Sequence, residues 1–269
     1  MNTSSVIVLS NFDLMLSGGL ILITGILSIL MKLRLERQLL IAAIRTVVQL
    51  LLVGYVLRFI FTIQSPWLLF ATLTVMVTVA TFTAVGRLKR RIAGVKLYAL
   101  FSLIVTALVT TFTVTSVIIN VQPWFEPRYV IPLMGMIVGN SMTAISLSLD
   151  RLFEEFSAKK NEVEVDLALG ATHWEAAQRP IREAVRLGMI PMINSMMVVG
   201  VVSLPGMMTG QILAGADPIE AVKYQIVVMF MVSAASALAC IFVALLVFRR
   251  LFNERHQLLA ERIKLVKIK

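Results

Sequence analysis

Seven runs of about twenty predominantly apolar residues divide this chain, most of them separated by short basic stretches. A run of that length is what an α-helix needs to cross the hydrocarbon core of a bilayer. In lipid, only helices and closed barrels satisfy all of their own backbone polar groups. The runs are Phe12–Met31, Leu39–Phe61, Pro66–Gly86, Leu97–Ile119, Tyr129–Leu149, Leu187–Leu204 and Ile219–Phe248. With 58% hydrophobic and only 15% charged residues over 269 positions, a soluble domain could not hide this much apolar surface. The expected fold is all-α: a polytopic membrane protein of about seven transmembrane helices, in one transmembrane domain over residues 1–269.

The formal net charge is +10, and its distribution argues against nucleic acid as a partner. The basic residues sit in loops between apolar runs, which is the pattern of membrane topology. All but four of the 25 lysines and arginines flank alternate loops: after span one, after span three, between spans five and six, and after Phe248. The exceptions are Arg45, Arg58, Arg128 and Lys223. This places the N-terminus outside and the C-terminus, with its basic tail 249–269, in the cytoplasm, as an odd number of spans requires. Met1–Ser10 holds no lysine or arginine, so the first run is expected to stay as a span rather than be cleaved as a signal peptide.

One long charged stretch interrupts the apolar pattern. Residues 150–186 then form a cytoplasmic segment between spans five and six, and local signals describe a broken, amphipathic helix there. Glu162, Glu164 and Asp166 suit a first turn, Gly170 can stop the helix in the left-handed region, and Thr172 to Glu175 is a capping box that restarts it. Pro180 is expected to open the next piece, leading into span six. Val163, Leu167, Gly170, Trp174, Ala177 and Ile181 recur at spacings of three and four, giving one apolar edge that must meet lipid or protein.

Polar residues within the spans mark candidate pathway positions. Arg45 and Gln49 lie four apart on span two; an intramembrane arginine faces protein, water or, by snorkelling, the interface, and both readings stay open. Span five carries Gly135, Gly139, Asn140, Ser141, Thr143, Ser146 and Ser148, for which close helix packing is the favoured role. Span six carries Asn194 and breaks at Pro205-Gly206-Met207-Met208, a candidate gate or cavity lining, or else an exit turn. The methionines of spans five and six read as gap fillers, and no metal ligand set is assigned: one cysteine and two histidines form no cluster. The sequence contains no phosphate-binding Gly-x-x-x-x-Gly-Lys-Ser/Thr loop, no His-Glu-x-x-His and no Gly-x-Ser-x-Gly, so the chain is not expected to be an enzyme.

The stretch Glu164-Val-Asp-Leu-Ala-Leu-Gly170-Ala-Thr-His-Trp174 resembles the cytoplasmic coupling loop of ABC-transporter permeases, with Glu164 and Gly170 at the characteristic spacing; Val165 and Asp166 replace the two alanines of that pattern. Arg45–Leu57, Pro132–Met142, Ser203–Gly210 and Asp217–Gln225 resemble the FetB family of bacterial iron-export ABC permeases, itself similar to plant aluminium-tolerance membrane proteins. The resemblance implies a permease of the bacterial inner membrane that exports iron and contributes to oxidative-stress resistance. It implies a separate ATP-binding subunit that holds ATP and magnesium, with two copies of each subunit and no cofactor in this chain. Glu164, Leu167, Gly170, Ala171 and Trp174 are the coupling residues it implies. A nucleotide sugar as cargo, or a non-transport scaffold or sensor, are the alternatives.

Overall fold

The computed structural model describes residues 10–63, 65–253, 255 and 257–266. Nearly all of the expected outside N-terminal stretch, and Glu254, His256 and the last three residues of the basic tail, lie beyond the described residues. The described chain is helical throughout: α1 (Asn11–Leu30), α2 (Glu36–Ile63), α3 (Pro66–Gly86), α4 (Val95–Phe112), α5 (Pro127–Ala158), α6 (Lys160–Ala168), α7 (His173–Val198), α8 (Gly206–Leu213) and α9 (Pro218–Leu251). Two residue pairs, β1 (Arg90–Arg91) and β2 (Lys264–Leu265), form a short antiparallel ribbon. Six of the helices, α1 to α5 and α9, are long and apolar enough to cross a membrane.

Helices α3, α4, α5, α7 and α9 make the core, with α5 packed on both α7 and α9. Each turns one face inward at spacings of three and four. On α3 that face is Leu69, Leu73, Val77, Ala80 and Ala84, and on α9 it includes Ala235, Ala239, Val243 and Val247. Small residues at these contacts let the backbones approach, which is how helices associate where lipid removes the usual hydrophobic drive. The α1–α2 hairpin stands apart. Its apolar side chains point outward almost everywhere, and Ser28 and Ile60 are its buried residues among those described. Ser28 ties the hairpin turn by donating to Glu36 Oε2 (2.9 Å) and accepting from Leu35 N–H (3.0 Å).

Two sets of contacts define the ends of the bundle. At one end, the Lys89 N–H donates to Asp150 Oδ1 (3.2 Å) and the Val266 N–H to the Lys89 carbonyl (2.9 Å), so the α3–α4 loop, the end of α5 and the C-terminal tail lie together. At the other end, Ile119, Tyr129, Met207 and Tyr224 line a common cavity, uniting the end of α4 with the starts of α5, α8 and α9. Helix α7 begins at the tail end, where His173 stacks on Phe248 with ring centroids 5.5 Å apart, and it finishes beside α8.

This course corrects two sequence expectations. Pro180 does not open a helix; α7 runs unbroken through Pro180 and Pro191, because the Thr172 capping box starts it earlier and buried Pro180 packs into the bundle. The break after α7 comes at Val199 and Gly200 (φ +84°), ahead of Pro205, which instead caps the short α8. Asp217 caps α9 by accepting from the Ile219 and Glu220 N–H groups, while Ser65 occupies the cap position of α3 without a side-chain bond.

Candidate functional site

Glycine permits the hinge at the tail end. Helix α6 ends at Ala168, Gly170 takes φ +97°, and α7 restarts at His173. A β-carbon at Gly170 would meet open space, so the conformation rather than crowding is what requires glycine here. The capping box forms: Thr172 Oγ1 accepts from the Glu175 N–H (3.3 Å) and Glu175 Oε2 accepts from the Thr172 N–H (2.8 Å). Two donors from Thr172, its backbone N–H first and its hydroxyl, which donates to Glu175 Oε2 (2.8 Å), second, hold the Glu175 carboxyl below its ordinary range.

The hinge is fastened to the bundle by aromatic rings. His173 stacks on Phe248, Trp174 meets Phe248 edge-on at 5.6 Å, and Phe252 joins Phe248 (5.2 Å) to Phe156 of α5 (5.9 Å). An ion pair between Arg179 and Glu162 (3.7 Å) bridges α6 and α7 across the bend, though both side chains are exposed and such a pair contributes little. Behind the hinge, Glu155 is buried between Arg151 (2.6 Å) and Lys159 (2.7 Å), one turn away on either side.

The sequence-derived contact face divides here. Val163 is buried against the bundle and Leu167 half-buried, whereas Trp174 is 43% exposed; Glu164 is exposed and 3.5 Å from Lys160, and Ala171 is half-buried. With only nine residues, α6 must turn an apolar side chain inward to dock, and Val163 does so. The apolar groups that project are Leu169, 82% exposed at the apex of the bend, and Val165. Sequence reading passed over both; the signal available was an aliphatic residue immediately before the glycine stop.

At the opposite end, α8 stands as a wedge between two cavities. Consecutive helical residues point about 100° apart, and Met207 and Met208 use this to face different spaces. Met207 lines a cavity of about 480 Å³ with Arg128, Tyr129, Met136, Gln211 and Tyr224. Met208 lines another of about 410 Å³ with Met196, Gln225 and Met229, bounded by Pro205. Gln225 is buried, and the Oε1 atoms of Gln225 and Gln211, both shut off from solvent, have no hydrogen-bond partner among the described residues. The first cavity adjoins a third, of about 450 Å³, that adds Glu126 and Asn120. Helix α4 enters this region through a π-helical stretch, Thr113–Ile118, that widens its last turns and presents Ile119 to the cavities.

Of the candidate pathway residues, the structure brings Pro205, Gly206, Met207 and Met208 together at the wedge. Arg45 and Gln49 are exposed on α2 and line none of the cavities described here; Asn140 is exposed and donates to its own helix at the Met136 carbonyl (2.8 Å); Asn194 is exposed on α7. Sequence reading missed Arg128, Tyr129, Tyr224, Gln211 and Gln225 as site residues. Among the described residues no group of three His, Cys, Asp or Glu side chains could hold a metal ion.

The model of an uncharacterised protein family, UPF0014, matches residues 11–252. The chain belongs to the UPF0014 family. It is 39% identical over 239 residues to the UPF0014 membrane protein YjkA of Bacillus subtilis, covering 88% of this chain and 94% of that one. It is 35% identical over 257 residues to the probable iron export permease protein FetB of Escherichia coli, covering 95% of this chain and 97% of that one. It is 38% identical over 239 residues to the protein ALUMINUM SENSITIVE 3 of Arabidopsis thaliana, covering 88% and 86%. No solved structure matches. The UPF0014 match takes in both the hinge and the wedge, from the start of α1 to Phe252.

Proposed function

We propose that this chain is the membrane-spanning permease of an ABC transporter that exports iron, in the manner that the name of its Escherichia coli relative describes. The observation that carries the reading is the continuity of α7. This single helix of 26 residues, about 39 Å long at 1.5 Å per residue, starts at the aromatic-pinned hinge and ends beside the α8 wedge. A force applied to Leu169 and Gly170 would tilt α7, and the tilt would move α8 between its two cavities. One face of the protein would so drive access at the other.

In this reading α7 is the sixth crossing and brings the total to seven, the hinge is cytoplasmic, the wedge lies toward the outside, the N-terminus is outside and the C-terminus inside. The positive-inside pattern supports that orientation. ATP and magnesium belong to a separate ATP-binding subunit that docks on α6 and the bend, and two copies of each subunit form the transporter in the inner membrane. The whole chain acts as one transmembrane domain. Thioethers and phenols are the groups that meet the cargo at the wedge.

The test is co-purification with the ATP-binding subunit. Gly170→Arg forces a residue with a β-carbon into the left-handed region and puts a charge at the docking apex, so complex formation and stimulated ATPase activity are expected to be lost. Unchanged complex and ATPase activity would sink the coupling role. Cells lacking the protein are expected to retain more iron under iron load. A nucleotide sugar is the second reading for cargo, favoured by Arg128 beside Tyr129 and Tyr224, which suit a phosphate and a ring. Equal iron content with accumulation of a sugar nucleotide would select it.

A further inference from the structure

The tail end holds a pocket that coupling does not use. The β1–β2 ribbon folds the C-terminal tail over the α3–α4 loop and closes a cavity of about 620 Å³ lined by Arg91, Arg250, Arg262, Lys264 and Tyr98. Four cations converge there and, among the described residues, no carboxylate lines the pocket; Glu261, next to Arg262 in sequence, is exposed and is not part of the lining. None of the four takes part in an ion pair among the described residues. Arg91 gives one Nη to the Gly86 carbonyl (3.1 Å), but its Nε is shut off from solvent with no partner among the described residues. Arg262 donates to the Arg250 carbonyl (2.8 Å), which holds its guanidinium over the pocket, and Arg250 lies over the Tyr98 ring at 5.9 Å.

Gathering like charges around a void is unfavourable unless an anion neutralises them. Guanidinium forks match the oxygens of a phosphate in two-pronged fashion. The pocket also sits where helices leave the apolar zone, at the first turn of α4 and the last turn of α9. From Tyr98 an exposed apolar face continues along α4 through Phe101, one turn on and 56% exposed, as a track for an acyl chain. We propose that this pocket binds the phosphate of an anionic phospholipid head group, and that the bound lipid clamps the C-terminal tail to the α3–α4 loop. Basic pockets at helix ends are suited to this role. The inference stands on the membrane placement of the chain and not on its cargo.

Native mass spectrometry of the full chain tests it. Released from phosphatidylcholine nanodiscs containing phosphatidylglycerol, the chain is expected to retain phosphatidylglycerol. Arg250→Gln, Arg262→Gln and Lys264→Gln are each expected to weaken retention about fivefold, while Arg58→Gln, exposed at the far end of α2, leaves it unchanged. A second arm titrates inorganic phosphate into the chain in the same phosphatidylglycerol-containing nanodiscs. Competition that removes the retained lipid would show the same phosphate chemistry supplied from solution; retention without competition identifies the lipid as the source. If an arginine variant fails to fold, Lys264→Gln, at an exposed side chain, still reads the effect. Equal retention by wild type and the pocket variants in both arms would overturn the site.

Discussion

Gly188 on α7 carries no side chain, and the bundle leaves no room for one. A β-carbon there would lie 2.8 Å from the Ala144 carbonyl, 2.8 Å from Cys240 Sγ and 3.0 Å from Ser148 Cβ. Two of these obstacles are backbone or short side chain with little freedom to yield. Gly188→Ala is therefore expected to destabilise the folded chain by about 1–3 kcal/mol, read as a lower melting temperature in detergent. Gly139→Ala, where a β-carbon meets nothing within 4 Å, should be close to neutral. The contrast corrects a sequence inference: the Gly135-x-x-x-Gly139 pair suggested the close helix approach, yet Gly139 is exposed and Gly135 meets only the flexible end of Met76 at 3.4 Å. A lone glycine gives no spacing pattern to read, so Gly188 was invisible although it marks the tightest approach of three helices. At the hinge, the Glu175 carboxyl titrates lower in the folded chain than in the unfolded one. The cap is then fully present above the ordinary value of 4.5 and is lost as pH falls through the depressed folded value. Amide protection over the first turn of α7 should fall on acidification, and Glu175→Gln, which keeps a neutral capping box, should remove that pH dependence.

At the scale of elements, α7 is where the sequence was hardest to read, for a physical reason. Hydropathy follows solvent, and α7 passes from water to the bundle, so its polar first half reads as loop and only the stretch from Leu187 reads as span. The helix itself is continuous, and its two prolines, ordinarily breakers, are carried by packing. The apolar helices were legible because lipid imposes both their length and their composition: α3 begins and ends as expected. The caps at Thr172 and Asp217 and the glycine stop at Gly170 were legible because they are local chemistry. The cavities were not. Arg128, Gln211 and Gln225 are single polar residues among apolar neighbours, and only the fold shows that they converge beside α8. The hinge gives the prediction proper to this scale. Leu169→Asp, at an exposed apex, is expected to leave the melting temperature of the isolated permease unchanged while lowering ATPase stimulation and co-purification with the ATP-binding subunit. A fall in stability of the isolated chain would instead mark Leu169 as a packing residue.

Across the whole molecule, α7 joins two ends of one bundle. The tail end carries the basic loops, the hinge and the buried Glu155 group, and the other end carries the wedge and its cavities. The orientation is checked by cysteine labelling with a membrane-impermeant maleimide, since native Cys240 is fully buried and silent. Ser10→Cys is expected to react from outside intact cells, and Glu261→Cys only after the membrane is opened.

The motion of α8 relative to α9 is what the coupling reading most depends on. Spin labels at Leu204→Cys and Ile219→Cys, both exposed at the α8 end, would report it by pulsed dipolar spectroscopy on the complex with its ATP-binding subunit in nanodiscs. The distance distribution is expected to shift when ATP is trapped on the partner and to lose that shift in Gly170→Arg. A distribution that ATP leaves unmoved in the otherwise native chain, or one that shifts equally with Gly170→Arg, would contradict the coupling reading.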